Sequence, residues 1–292
     1  MTHETLLYSA EDFENKADTG LIMSSLQWLI DHYIAKEKYR LQMVRDLQLK
    51  PGNLVLDVGS GPGLWSEKLA EKVAPDGRII GIDFSQDLIE YARENLQQSP
   101  YKDFVEYQRG DFFDLPFERN TFDVVFCSNS LMYLTDEDKE KVIKEKQRVA
   151  KIGGKVASKE YDGETIIVYP IPPELWLKMK SAVARVLSET ASSDYYDEYV
   201  ARKTHKIFLD VGLTHIDSIA YPIQLSYPLS PSAKRYLTQE SEWLIKTASP
   251  YLSAAETEQL MSYFNPNSQH YVLDREDFWY LVVEIMALGI KQ

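Results

Sequence analysis

Cysteine is nearly absent. Cys127 stands alone among 292 residues, so no disulfide can form within the chain, and its apolar surroundings read as a small buried side chain. Histidine is scarce too, with five copies, and no His or Cys pair has the spacing of metal ligands; no metal is expected. No apolar stretch reaches the length of a membrane span. The opening residues, Met-Thr-His-Glu-Thr-Leu-Leu-Tyr, lack the charged start and apolar run of an export signal, so the expectation is cytoplasmic. Lys/Arg runs are missing as well. With 32 basic against 45 acidic residues the net charge is −13, which repels phosphate backbones and argues against a nucleic-acid partner. There is no internal repeat and no low-complexity tract. At 44% apolar and 26% charged residues the composition is that of an ordinary globular protein, long enough for one sheet domain with sizeable additions.

What is present begins at residues 55–63, Val-Leu-Asp-Val-Gly-Ser-Gly-Pro-Gly. An apolar strand ends in an acid, Asp57, and glycines follow at every second position, Gly59, Gly61 and Gly63. Helical apolar spacing then runs from Leu64 to Val73. Strand, glycine turn and helix in this order make a nucleotide pocket at the carboxyl edge of an open α/β sheet. Glycine lets backbone approach a ligand closely and makes positive φ cheap. The free N–H groups of the following helix favour a negatively charged group. The dinucleotide pattern G-x-G-x-x-G would need a glycine at position 64, where Leu64 stands. A second buried strand, 79–85, carries Asp83, an acid able to accept both hydroxyls of a ribose; NAD and adenosyl ligands fit it equally. A third strand candidate spans 104–108 and leads to Gly110-Asp111-Phe112-Phe113-Asp114. A fourth, 121–129, ends in Ser128-Asn129, and Gly153-Gly154 introduces a fifth.

In this order and spacing, the blocks from Leu49 to Tyr161 resemble the class I S-adenosylmethionine-dependent methyltransferases, most of all the ubiquinone/menaquinone-biosynthesis branch. The resemblance implies an α/β, Rossmann-like fold. Its seven-stranded, mostly parallel sheet would have an antiparallel last strand between the fifth and sixth, helices on both faces and helical lid additions. It implies S-adenosyl-L-methionine as cofactor. Gly59, Gly61 and Gly63 would cradle its methionine part, with Asp57 holding that loop or reaching the amino group through water. Asp83 would take the ribose hydroxyls and Phe84 would stack near the adenine. Asp111 would accept from the adenine amino group and the N–H of Phe112 would complete that contact. Asn129 would present its carbonyl to the methionine ammonium. Plainer roles stand beside these: Asp57 as a cap of the next helix, Asp114 in place of Asp111.

Three zones follow. Residues 1–50 read as an N-terminal helical cap, with Leu21, Ile22, Leu26, Leu29, Ile30 and Tyr33 in one helical stripe; Trp28, Tyr33 or Tyr39 faces the pocket or simply packs the helices on the sheet. Residues 51–165 read as the cofactor-binding core, with helices over 86–97 and 136–150, the latter capped by Thr135. Residues 166–292 hold helical lid insertions plus the last two strands: helices over 174–188 and 195–209, a turn at 191–194 between them, a strand over 215–225 and a last strand at 278–285, for which a helix competes.

Many of the 19 Tyr, 11 Phe and 5 Trp lie in these additions, which suits a small flat or hydrophobic methyl acceptor. Such a transfer needs acceptor and methyl held in line with water excluded, and a general base where the acceptor is a hydroxyl. The catalytic candidates are His205 on the lid helix beside the tyrosines, Tyr133 after Asn129, and Glu160 just past the fifth strand. Tyr133 stands near where the quinone branch often carries a histidine, a departure that speaks against a quinone precursor. The expected function is methyl transfer to O, N or C of a small biosynthetic intermediate. The rivals are a methyltransferase-like cyclase or isomerase and a non-catalytic binding protein on the same fold. The expected partner is thus a small-molecule acceptor, with a homodimer left open.

Overall fold

The computed structural model describes residues 24–189 and 196–292. Leu21 and Ile22 of the expected first helix, the turn at 191–194 and the expected helix start at Tyr195 lie outside the described residues.

Seven strands form one sheet in the order β3-β2-β1-β4-β5-β7-β6. They are β1 (Leu54–Val58), β2 (Arg78–Asp83), β3 (Val105–Arg109), β4 (Phe122–Ser128), β5 (Ala150–Tyr169), β6 (Thr214–Ser226) and β7 (Trp279–Ile290). Strands β1 to β5 pair in parallel. Only β7 runs the other way, antiparallel to both β5 and β6. The expected topology therefore stands, and residues 279–285 resolve as strand rather than helix, with Phe278 just before it. Their β-branched and aromatic side chains suit a pleated surface buried between two partners.

The central strands are apolar because both faces are covered: Val55, Leu56, Ile79, Val125 and Phe126 are fully buried. Between strands run α3 (Ser66–Val73), α4 (Gln86–Leu96) and α5 (Asp136–Val149). Thr135 caps α5 by accepting from Asp138 N–H at 3.2 Å, and three acids fill its first turn, opposite the helix dipole. The N-terminal helices α1 (Leu26–Ala35) and α2 (Glu37–Asp46) are joined at Lys36; α1 packs on α8 (Pro231–Ala248). The remaining additions are α6 (Pro173–Glu189), which leans on α8, α7 (Val200–Asp210), which covers β5, β6 and β7, and α9 (Ala254–Phe264).

Two boundaries differ from expectation. Helix α7 starts at Val200, because the residues before it are tied elsewhere: Asp197 N–H donates to Met132 O at 2.8 Å, and its carboxylate meets Lys139 at 2.5 Å and Lys203 at 2.9 Å. Strand β5 continues to Tyr169, since β7 offers a pairing partner along nearly all of it. Glu160, expected beyond the strand, is consequently inside the sheet, paired with Ile285.

Candidate active site

Parallel strands bring their carboxyl ends to one edge of the sheet, so the segments after β1, β2, β3 and β4 meet there. A cavity of about 400 Å³ lies at this edge, within the usual range of small-molecule sites.

Its floor is the loop after β1. Gly59, Gly61 and Gly63 all have positive φ, of 68°, 53° and 80°. The reason for glycine differs at each. A Cβ on Gly59 would strike Ser130 Oγ, and one on Gly63 would strike the ring of Tyr107, whose hydroxyl donates to Gly63 O at 3.2 Å. Only Gly61 has room, its nearest neighbour being Leu29 at 3.9 Å. Close approach to a ligand was expected for all three; at Gly59 and Gly63 the close neighbour is the protein itself. Asp57 lies behind the loop, fully buried, and accepts from Ser66 Oγ at 2.8 Å at the start of α3. Burial pushes its carboxyl up to about 7, against the pull of that hydrogen bond.

Asp83 ends β2 and faces the loop. Its carboxylate accepts from Gly61 N–H at 2.7 Å and from Ser85 N–H at 2.9 Å, so the acid and the loop position each other. Phe84 beside it is 58% exposed at the cavity mouth, with the Arg109 guanidinium 5.2 Å from its ring centre. Asp111 accepts from Phe113 N–H at 2.9 Å, which fixes the 110–114 turn, and Phe112 and Phe113 meet edge to face. Asn129 adopts φ 54°, a left-handed conformation uncommon for a side-chain-bearing residue. Its side-chain oxygen accepts from Lys159 Nζ at 2.8 Å.

The wall opposite the loop comes from α1, α2 and α8. Trp28, His32, Lys36 and Arg40 recur every fourth residue and all border the cavity. Trp28 stacks on His32 with ring centres 4.6 Å apart. The guanidinium of Arg40, 1% exposed, lies 5.0 Å from the ring of Tyr33 and 4.9 Å from that of Trp65, and donates to His32 Nδ1 at 3.0 Å. Because arginine can only donate, His32 Nδ1 is the unprotonated nitrogen. Burial, with Lys36 and Arg40 nearby, holds His32 neutral by pushing its pKa well down. Lys36 Nζ reaches Glu284 at 2.9 Å, and Lys159 reaches the other oxygen of the same carboxylate at 2.6 Å. Glu240 of α8 accepts from Tyr236 at 2.8 Å and from Tyr280 at 2.9 Å, and burial pushes its carboxyl up.

Aromatic rings close the third side. Tyr133 packs against Tyr196, whose hydroxyl pairs with that of Tyr161 at 2.7 Å. Burial raises the Tyr133 phenol above its ordinary pKa, so it stays protonated.

Of the residues singled out by sequence, Gly59, Gly61, Asp83, Phe84, Asp111, Phe112, Asn129 and Tyr133 border one cavity. Asp57 and Gly63 sit just behind it. Two catalytic expectations fall outside. His205 lies on an exposed face of α7, its Nδ1 3.0 Å from Ser218 Oγ, because the buried face of that helix is taken by Thr204, Ile207 and Phe208. Glu160 is fully buried behind the 128–131 turn, where one oxygen accepts from Leu131 N–H at 3.1 Å and Ser130 N–H at 3.3 Å. Tyr39 also faces away, exchanging hydrogen bonds with the backbone of Gln224. Lys36, Arg40 and Glu240 went unforeseen; the four-residue period of Trp28, His32, Lys36 and Arg40 was the available signal for the first two, and Glu240 on α8 had none.

Sheet order, glycine loop and the acid closing β2 together define a Rossmann-like domain of the class I methyltransferase type. Residues 55–154 match the methyltransferase domain family. A curated relative is the demethylmenaquinone methyltransferase of Symbiobacterium thermophilum, 35% identical over 142 residues, or 49% of this chain and 53% of that protein. The chain spans about half the length of the curated relatives it matches. The solved structure of YcgJ from Bacillus subtilis aligns with a TM-score of 0.55 at 18% identity, over 88% of this chain and 99% of that one. Phosphoethanolamine N-methyltransferase 2 of Haemonchus contortus, in complex with phosphomonomethylethanolamine and S-adenosylhomocysteine, aligns with a TM-score of 0.52 at 20% identity, over 87% of this chain and 53% of that one.

Proposed function

We propose that this protein is an S-adenosylmethionine-dependent methyltransferase that moves a methyl group to O, N or C of a small organic intermediate, and that it works in the cytoplasm. The observation that carries the reading is the junction of Asp83 with Gly61 N–H at 2.7 Å on the floor of the cavity. Gly61, with open space at its Cβ position, and the buried Ser60 hydroxyl, which has no hydrogen-bond partner, fit a ligand passing close over the loop. In this reading Asp83 takes the ribose hydroxyls, Phe84 and Phe112 flank the adenine, and Asp111 meets its amino group. Asn129 gives its backbone carbonyl to the methionine ammonium, its side chain being held by Lys159. When bound, the cofactor supplies a methyl group on a sulfonium, already a good leaving group.

The rest of the chain's contribution is placement and exclusion of water. Residues 1–50 act as cap, 51–165 as core, and 166–292 as lid and sheet edge. Tyr133, Tyr161, Tyr196 and Met132 wall the space left for the acceptor. The one acceptor nitrogen of His32, Nδ1, is already taken by Arg40, and Glu240 is engaged by two phenols. The cavity thus favours an acceptor that brings a free electron pair over one that must first lose a proton.

The test has two stages. Calorimetric titration with S-adenosylhomocysteine should show one site, and Asp83→Ala should weaken it by about tenfold or more. Incubation with methyl-labelled cofactor and a metabolite extract should then transfer label and release S-adenosylhomocysteine. A product without that release would instead favour a cyclase or isomerase.

A further inference from the structure

At the wall formed by α1 and α2, the buried cations Lys36 and Arg40 outnumber the carboxylates that pair with them. Lys36 and Lys159 share the single carboxylate of Glu284. Arg40 makes no ion pair with an acid among the described residues; its partners are His32 and the faces of two aromatic rings. Of the acids that do border the cavity, Asp83 holds the N–H groups of Gly61 and Ser85, Asp111 holds that of Phe113, and Glu240 is turned to two phenols; none pairs with Lys36 or Arg40. A bound sulfonium would add to this excess.

The same wall carries buried donors with nothing to donate to. Trp28 Nε1, Tyr33 Oη and Arg40 Nε are all without a hydrogen-bond partner, and all three residues are more than nine-tenths buried and border the cavity. Buried polar atoms ordinarily find partners. Three unmet donors of one kind, beside unbalanced cations and along one wall, are complementary to the oxygens of an anion.

We propose that the methyl acceptor is an anion, and that its carboxylate or phosphate oxygens dock against Lys36 and Arg40 with the N–H of Trp28 and the O–H of Tyr33. Its body then lies toward Tyr133, Tyr161 and Tyr196. The inference rests on the methyltransferase reading and narrows its acceptor class.

The test uses the full chain saturated with S-adenosylhomocysteine and titrated with three probes of similar size: benzoate, phenyl phosphate and benzamide. One of the two anions should bind at least about tenfold more tightly than the neutral amide. The tighter anion tells whether a carboxylate or a phosphate is received. Tyr33→Phe keeps the ring and removes only an unpartnered donor. It should weaken the anion by about three- to tenfold, leave S-adenosylhomocysteine affinity unchanged and melt no lower than the parent. Lys36→Met should weaken the anion by at least as much. Equal binding of benzamide, binding of neither anion, or variants that weaken S-adenosylhomocysteine instead would overturn the proposal; in the last case the wall serves the cofactor. Failure of S-adenosylhomocysteine to bind the parent chain would remove the methyltransferase reading and the inference with it.

Discussion

Asp57 keeps a carboxyl where water cannot reach it, and the protein bears the cost in a definite pH window. Its pKa is about 7 in the fold, raised from an ordinary 3.8 by burial. The unfolded chain therefore releases this proton more readily than the folded one. Below about pH 4 both states are protonated and the penalty vanishes; it grows as pH rises to 7 and is constant above. Such a displacement is worth on the order of 4 kcal/mol. Asp57→Asn keeps an oxygen for Ser66 but loses the charge. It should be more stable than the parent at pH 8 and lose that advantage as pH falls toward 4, as measured by urea unfolding at several pH values. The neighbouring glycines separate two causes of strain. Gly153 has φ 76° with open space around its Cβ position, whereas Gly63 has φ 80° and a tyrosine ring in the way. Gly153→Ala should cost about 1–2 kcal/mol from φ alone, and Gly63→Ala distinctly more, in the same denaturation experiment.

At the scale of elements, β7 is the tie between the N-terminal helices and the sheet. Glu284 on β7 is fully buried and holds Lys159 of the adjacent strand β5 and Lys36 at the α1–α2 junction. These two lysines pull its pKa well below the ordinary carboxylate range, against burial. Glu284→Gln would leave two buried ammonium groups facing a neutral amide, and should destabilise the fold by about 3–5 kcal/mol at pH 7. Because the pKa is depressed, the parent's advantage should hold above about pH 4.5 and fade only in acid, which urea midpoints at pH 7 and pH 4 would reveal. None of this partnership was legible in the sequence, where Lys36, Lys159 and Glu284 lie far apart and each alone looks like a surface residue. The strands and the loop were legible because their signals are local: apolar runs, glycines at alternate positions, an acid at each strand end. For the same reason Asp57 and Asp83 could be placed near the cavity edge from the acid at each strand end, whereas Asn129 was placed there by the family resemblance. The length of β5 was not legible, being set by pairing with β7 more than a hundred residues later. His205 was misplaced because its neighbours in sequence, including the tyrosines before it, point in directions fixed by where α7 begins.

At the scale of the molecule, the cavity is closed by segments far apart in sequence: the 59–65 loop, helices α1 and α2, the 128–133 turn and one residue of α8. A ligand that touches them all couples their opening. Binding to the folded state alone stabilises it by about 2.7 kcal/mol at a hundredfold excess over the dissociation constant. For a chain of this size each kcal/mol raises the melting temperature by roughly 2–4 °C. Saturating S-adenosylhomocysteine should therefore raise the melting temperature by roughly 5–10 °C. The gain should not be confined to the glycine loop. Backbone amides of Leu26–Ala35 and Glu37–Asp46 should exchange more slowly in the complex, since those helices furnish the opposite wall. Amides of α9, none of whose residues border the cavity, should change little. Hydrogen exchange with and without S-adenosylhomocysteine measures both. Protection restricted to residues 57–66 would mean that α1 and α2 respond to the acceptor alone, so a further gain on adding benzoate or phenyl phosphate to the complex would then assign that wall to the second ligand.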